Sequence, residues 1–328
     1  MGTETELLTK LSQGKRVLWE QLLRRSELTP DDRVDSYLLI WDQNELIATG
    51  ARKGNLLKCI AVAPHRQGED LTATVLTQLR QDAFAAGYSH LFLYTKPKNV
   101  QLFSSLFFYP IAETDDVALL ESKPDGIKNF LSALSAPCKE GVVGSVVMNG
   151  NPFTLGHRHL IKTAAEECDW VYVFVLSEDC SYFSTQDRLA MAQAGSKKFP
   201  NVTVLPTGPY LISSATFPTY FLKDPGVIET AQCKLDAEVF ARHYAPAFSI
   251  TRRYVGTEPL CPVTCAYNQT LEKSLPEKGI ALRKIERLRK NDTPISATTV
   301  RRLYEEQNWD AIRELVPQST YEYLKNKD

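Results

Sequence analysis

The sequence predicts an α/β protein of two units, and three observations carry that reading. From residue 142 onward, short apolar runs alternate with helical amphipathic ones. The chain has 328 residues, long for one domain and natural for two. Ser122-Lys123-Pro124-Asp125-Gly126 and Ala136-Pro137 break the pattern between these parts. The expected units are 1–135 and 140–328. Regular strand–helix alternation makes the second a doubly wound parallel-sheet (Rossmann-like) domain. Such sheets take ligands at the carboxyl ends of their strands.

In the first unit, 35–41 and 45–50 read as a hairpin turned by Asp42-Gln43-Asn44. Residues 56–62 form another strand. Leu71, Val75, Leu76, Leu79 and Phe84 are the apolar residues of a helix expected over 71–86. A strand at 90–94 and a helix at 99–107 follow. A short amphipathic helix over 127–134 precedes the second unit. There, strand 142–148 leads to helix 159–168, and strand 170–176 to helix 185–196. Residues 202–205, 251–255 and 281–288 are further strands. Helices over 297–307 and 310–315 close the pattern, which holds no repeat and no low-complexity tract.

Composition excludes several classes. Lys and Arg total 38 against 39 Asp and Glu, so no general attraction to nucleic acid or an anionic membrane is expected. Hydrophobic content of 43% suffices for packed cores, yet no apolar run approaches a membrane span. Met1-Gly2-Thr3-Glu4-Thr5-Glu6 is polar and acidic, unlike a signal peptide. The 7 cysteines are scattered without a Cys-x-x-Cys pair, which fits reduced thiols in a cytoplasmic protein.

Thr154, Gly156 and His157 fall where the strand at 142–148 turns into a helix. A helix start exposes backbone N–H groups and the positive end of the dipole, a ready anion site. Gly156 lets a phosphate approach the backbone, and Thr154 and His157 add side-chain donors. The plainer alternative is a βα turn with a threonine cap and a surface histidine. Ser296 opens a second helix, with Thr298 and Arg301 on its first turns. This is a second phosphate cradle or an ordinary capped helix. No Gly-x-x-x-x-Gly-Lys-Ser/Thr loop exists, so ATP chemistry of the P-loop type is excluded. His159 reads as a surface or packing residue. Lys223 is a possible phosphate contact or a solvated lysine, and Glu258 stands at a strand end. Asp236 and Glu238 are solvated helical acids or metal ligands; the metal site is unknown. Arg283, Lys284, Arg287, Arg289 and Lys290 read as a solvated basic face, or one attracting an acidic partner.

Together, Thr154-Leu155-Gly156-His157 and Ile295-Ser296-Ala297-Thr298-Thr299-Val300-Arg301 resemble the two signatures of the nucleotidyltransferase superfamily. The likeness narrows through Val147-Met148-Asn149-Gly150-Asn151-Pro152-Phe153, Ile212-Ser213-Ser214-Ala215-Thr216-Phe217-Pro218-Thr219-Tyr220-Phe221, Tyr254-Val255-Gly256-Thr257-Glu258-Pro259, Tyr267-Asn268-Gln269 and Ile285-Glu286-Arg287-Leu288. Over nearly all of 140–328 the chain resembles the citrate lyase ligase family. That resemblance implies ATP and Mg²⁺ as cofactors and acetate as substrate. It implies an acetyl-adenylate that passes to the phosphopantetheine-like thiol on the acyl-carrier subunit of citrate lyase. Thr154, His157 and Arg301 become the catalytic candidates. Asn149, Asn151, Phe153, Gly156, Ser296, Thr298 and Glu258 become the nucleotide-binding ones. No catalytic cysteine is needed, because the partner brings the thiol.

The first unit resembles GNAT acetyltransferases through Val62-Ala63-Pro64-His65-Arg66-Gln67-Gly68-Glu69-Asp70-Leu71 and the helix and turn at 99–108, which implies a GNAT-like α+β domain. Asp70 replaces a glycine of the pyrophosphate loop and sets a carboxylate where an anion would lie. That departure argues against independent acetyl-CoA catalysis and leaves a carrier-docking or a purely structural role. Two other functions stay open beside the ligase. One is a nucleotidyltransferase that adenylates a small phosphate ester, as in CoA or NAD synthesis. The other is a non-catalytic accessory protein or an acetyltransferase.

Overall fold

The computed structural model describes residues 3–134, 139–177, 181–211, 217–218, 220–222, 225–257 and 262–327, with only backbone at 225–227, 229 and 262–264. The chain forms two compact units: Met1–Gly126 with Pro218–Ala231, and Ile127–Phe217 with Gln232–Asp328.

The first unit runs β1 (Glu4–Leu8), α1 (Gln13–Arg25), β2 (Ser36–Asp42), β3 (Glu45–Lys53), β4 (Leu56–Val62), α2 (Leu71–Ala85), β5 (Phe92–Thr95), α3 (Val100–Ser105), β6 (Tyr109–Glu113) and β7 (Ala118–Glu121). Its sheet has the order β1-β2-β3-β4-β5-β7-β6. Among the described residues of this sheet only β4 and β5 pair in parallel, at Leu56↔Phe92 and Leu57↔Leu93, and the two strands part beyond that point. Leu38, Ile40, Ile47, Val75, Leu79 and Phe108 pack as the core. This is the GNAT-like α+β unit that the resemblance implies. Phe84, one of the apolar residues of this helix, is 75% exposed, because the inward stripe is filled by Val75, Leu76, Leu79 and Ala83. Where β4 and β5 part lies a cavity of about 440 Å³, lined by Asp70, Tyr94 and Asn99, with Tyr220 and Phe221 also in its wall. The Tyr220 hydroxyl donates to the Tyr94 carbonyl at 2.8 Å, and Thr29 N–H donates to the Tyr220 carbonyl at 2.6 Å.

The second unit continues from α4 (Gly126–Ala133) with β8 (Val143–Met148), α5 (Leu155–Glu167), β9 (Trp170–Val175), α6 (Thr185–Ser196), β10 (Val202–Pro206), α7 (Pro225–Val239), α8 (Ala245–Ala247), β11 (Arg252–Gly256), α9 (Pro262–Ser274) and β12 (Ala281–Ile285). A two-residue ribbon, β13 (Arg289–Lys290) with β14 (Thr293–Pro294), precedes α10 (Ala297–Glu305), α11 (Trp309–Arg313) and α12 (Gln318–Lys325). The main sheet is parallel throughout, in the order β10-β9-β8-β11-β12. Chain order reverses between β8 and β11, so their carboxyl ends form the topological switch point where doubly wound folds bind ligands. Val146, Phe153, Ile161, Val173, Met191 and Val300 lie in the core cluster on one face.

Helix α5 begins at Leu155, four residues before the expected start at 159. Thr154 supplies the reason: its side chain accepts from His157 N–H while the His157 ring accepts from Thr154 N–H, a reciprocal cap. Gly156 and His157 therefore stand on the first helical turn rather than in a loop.

Candidate active site

A cavity of about 640 Å³ opens at the switch point. Its lining includes Asn149, Thr154, Gly156, His157, Ser296 and Thr298, so two motifs roughly 140 residues apart in sequence meet there. The pairing follows from topology, since α5 starts where β8 ends and the turn before α10 comes off the neighbouring end of the sheet. Ile295 N–H bonds the Leu288 carbonyl at 3.0 Å and anchors that turn.

His157 is held in one state. Its Nδ1 accepts the Thr154 N–H at 3.0 Å and lies 2.9 Å from Thr154 Oγ1. With Nδ1 accepting, the ring proton belongs on Nε2. The ring stacks against Phe153, with centroids 5.7 Å apart. Burial, reinforced by the Arg287 guanidinium, pushes the imidazole down to about 4. At neutral pH it is an uncharged donor, suited to a phosphoryl oxygen without proton transfer.

The two helix starts add backbone donors. Leu155 N–H is taken by the Leu315 carbonyl at 2.9 Å, and His157 N–H by Thr154 Oγ1 at 3.4 Å. Gly156 N–H has no protein partner among the described residues. A methyl placed on Gly156 would meet no protein atom closer than 3.5 Å, so the fold alone does not demand glycine there. Ser296 caps α10, its Oγ accepting Thr298 N–H at 3.2 Å.

Arg301, Asn151 and Phe153 lie outside the lining. Arg301 donates from Nη1 to the Asn151 carbonyl at 2.6 Å and from Nη2 to Thr298 Oγ1 at 3.0 Å, which fastens the two motifs together. Asn151 Oδ1 accepts Phe183 N–H at 3.0 Å. Phe153 is fully buried in the core beneath the His157 ring. Asn149 lines the cavity, but its side chain is engaged by Arg188 at 2.7 Å and Ser181 at 3.2 Å. Lys223 and Glu258 lie outside the described residues.

Other lining residues escaped sequence reasoning. His159, expected at the surface or in packing, lines the cavity, as does Arg287, expected on a solvated face. Three others of that basic run pair elsewhere: Arg283 with Glu167 at 3.8 Å, Lys284 with Glu272 at 2.8 Å and Lys290 with Glu314 at 2.7 Å. Asp236 is not a solvated helical acid. It is 5% exposed, and the Tyr267 hydroxyl donates to it beside Arg253, whereas Glu238 pairs with Lys278 at 2.6 Å. A readable signal existed for this group, because a charged residue inside an inner strand must be buried with partners. Arg253 sits within the strand expected at 251–255.

Fold and site together define the class: a doubly wound α/β domain with a nucleotidyltransferase-type turn, joined to a GNAT-like unit. The family model described as "Citrate lyase ligase C-terminal domain" matches residues 143–324. A "[Citrate [pro-3S]-lyase] ligase" of Klebsiella pneumoniae is 42% identical over 316 residues, covering 94% of this chain and 92% of its own. A protein of the same name from Escherichia coli (strain K12) is 37% identical, over 99% of this chain and 95% of its own. Among solved structures, Thermotoga maritima TmcAL bound with alpha-thio ATP aligns over 57% of this chain and 55% of its own, at 19% identity and a TM-score of 0.35. The chain belongs to the citrate lyase ligase family.

Proposed function

We propose that the cavity binds ATP and acetate, joins them as acetyl-adenylate, and passes the acetyl group to the prosthetic thiol on the acyl-carrier subunit of citrate lyase. Family membership supports the reaction. The neutral His157 donor beside the free Gly156 N–H and the α10 start is the observation that carries the site. An acetate oxygen forms a bond to the α-phosphorus while the bond from that phosphorus to the bridging oxygen breaks, and pyrophosphate leaves with the electron pair. The carrier thiolate then attacks the acyl carbon, the C–O bond to AMP breaks, and a thioester remains. The first step needs in-line positioning and neutralisation of growing charge, not covalent help. His157 Nε2–H, Gly156 N–H and the first N–H groups of α10 supply donors. Arg301 acts by holding the two motifs at fixed separation.

Mg²⁺ belongs to this reading through the family. Among the described residues no three His, Cys, Asp or Glu side chains converge to hold a metal, so the described residues do not build a protein cage for it and no step is drawn through it. We also place the reaction in the cytoplasm, without a nucleic-acid partner. No helix among the described residues is long and apolar enough to cross a membrane, and Cys59, Cys168, Cys233 and Cys265 are free thiols.

The test is acetate-dependent exchange of pyrophosphate into ATP. The wild-type chain should exchange. His157→Ala should lose roughly 10²–10³ in rate, as when one oxyanion donor is removed, while keeping its circular dichroism. Exchange absent with acetate, alongside adenylation of phosphopantetheine or nicotinate mononucleotide, would transfer the protein to the phosphate-ester class.

A further inference from the structure

The same cavity holds a guanidinium that the protein leaves partly unused. Arg253 lies in β11, level with Ser145 of the adjacent β8, and is 1% exposed. Its Nη2 donates to the Tyr267 hydroxyl at 2.7 Å and lies 3.7 Å from Asp236 Oδ2. The Tyr267 hydroxyl donates in turn to Asp236. The Phe240 ring packs 4.4 Å from the Arg253 Cζ. Yet Nε and Nη1 of Arg253 are buried without any hydrogen-bond partner among the described residues.

Arg188 shows what this fold does with a purely structural buried arginine. It is 0% exposed, and its Nε, Nη1 and Nη2 donate to the Phe183, Asn149 and Leu176 carbonyls, Asn149 Oδ1 and Thr185 Oγ1. Buried charged donors left open cost far more than exposed ones, so they persist where a ligand completes them. Arg253 lines the cavity that also contains His157 and Ser296. On the ligase reading the helix starts of α5 and α10 take the triphosphate, and Arg253 offers a second anion station in the same space. A small carboxylate is acceptor-only and suits such donors.

We propose that Arg253 binds the carboxylate of the acid substrate, with Tyr267 and Asp236 as positioning residues that fix the guanidinium. This inference rests on the ligase reading above.

The experiment varies acetate and ATP separately in the exchange assay, using the full chain. Arg253→Lys keeps the charge beside Asp236 but removes the open guanidinium donors; the KM for acetate should rise roughly 10–100-fold, the cost of a charged hydrogen bond, with the KM for ATP nearly unchanged. The double variant Arg253→Met/Asp236→Asn removes the pair together and leaves no lone buried charge; it should stay folded and lose acetate saturation. Tyr267→Phe should raise the acetate KM less, without changing that for ATP. An unchanged acetate KM in Arg253→Lys, or an equal rise for both substrates, overturns the assignment. Absence of exchange in the wild-type chain overturns the ligase reading instead.

Discussion

His157 is where one residue's environment decides its chemistry. A surface histidine titrates near 6.5, and this one is pushed down to about 4 by burial and then by Arg287. Its Nδ1 is spent on Thr154, so Nε2–H is the donor it presents. The stability consequence has a definite sign. Between about 6.5 and 4 the unfolded chain takes up a proton on this residue that the folded chain refuses. The group therefore carries no penalty above pH ~6.5, and stability is lost as pH falls toward the folded value. His157→Asn, which cannot take up that proton, should lose less on acidification. Urea midpoints at pH 7 and 4.5 should show the wild type losing roughly 1–2 kcal/mol more than the variant over that interval. Equal losses would mean that the imidazole is not held neutral. The Thr-x-Gly-His spacing announced a donor at a helix start. It did not announce the charge state, which depends on Phe153 and Arg287 packing close in space.

Among the elements, the start of α5 and the last turn of α6 place two glycines under opposite constraints. A methyl on Gly156 would meet nothing nearer than Thr154 Oγ1 at 3.5 Å, whereas one on Gly195 would drive into the Phe153 ring, with Cδ1 at 2.7 Å. Gly156→Ala should leave stability unchanged or raise it by roughly 0.5–1 kcal/mol, while ATP exchange falls because the methyl enters phosphate space. Gly195→Ala should cost roughly 1–3 kcal/mol through overpacking and reach the site only through the tilt of Phe153. Thermal melts and exchange rates on both variants separate the two cases; loss of stability in Gly156→Ala would mean that the glycine serves the fold. The helix at 185–196 was legible to the residue, since Ser184 and Asp187 form its capping box. Helices α7, α9 and α12 were not. The last is mostly polar and buries little beyond Thr320 and Leu324, so its apolar period is too weak to read.

Across the whole molecule, the alternation of strands and helices after residue 142 was enough to foresee a parallel sheet and a site at its switch point. Of the Arg253, Asp236 and Tyr267 group only Arg253 was signalled, by its place inside an inner strand; Asp236 and Tyr267 come from α7 and α9, and only folding brings them to it. Sequence also gave no hint that 218–231 packs within the first unit. There Tyr220 and Phe221 are 5% and 3% exposed, and Tyr220 bonds the Tyr94 carbonyl. Each buried aromatic contributes roughly 1.5–3 kcal/mol, which a fragment beginning at residue 139 would forfeit while exposing both rings. Such a fragment should self-associate on size-exclusion chromatography, and Tyr220→Ser/Phe221→Ser within it should reduce that association. In the full chain the same double substitution should instead destabilise by roughly 3–6 kcal/mol, read from the denaturation midpoint. Opposite effects in the two contexts are the signature of a segment that belongs to the first unit's core. A full chain left unaffected by the double substitution would mean that the two rings do not belong to the first unit's core.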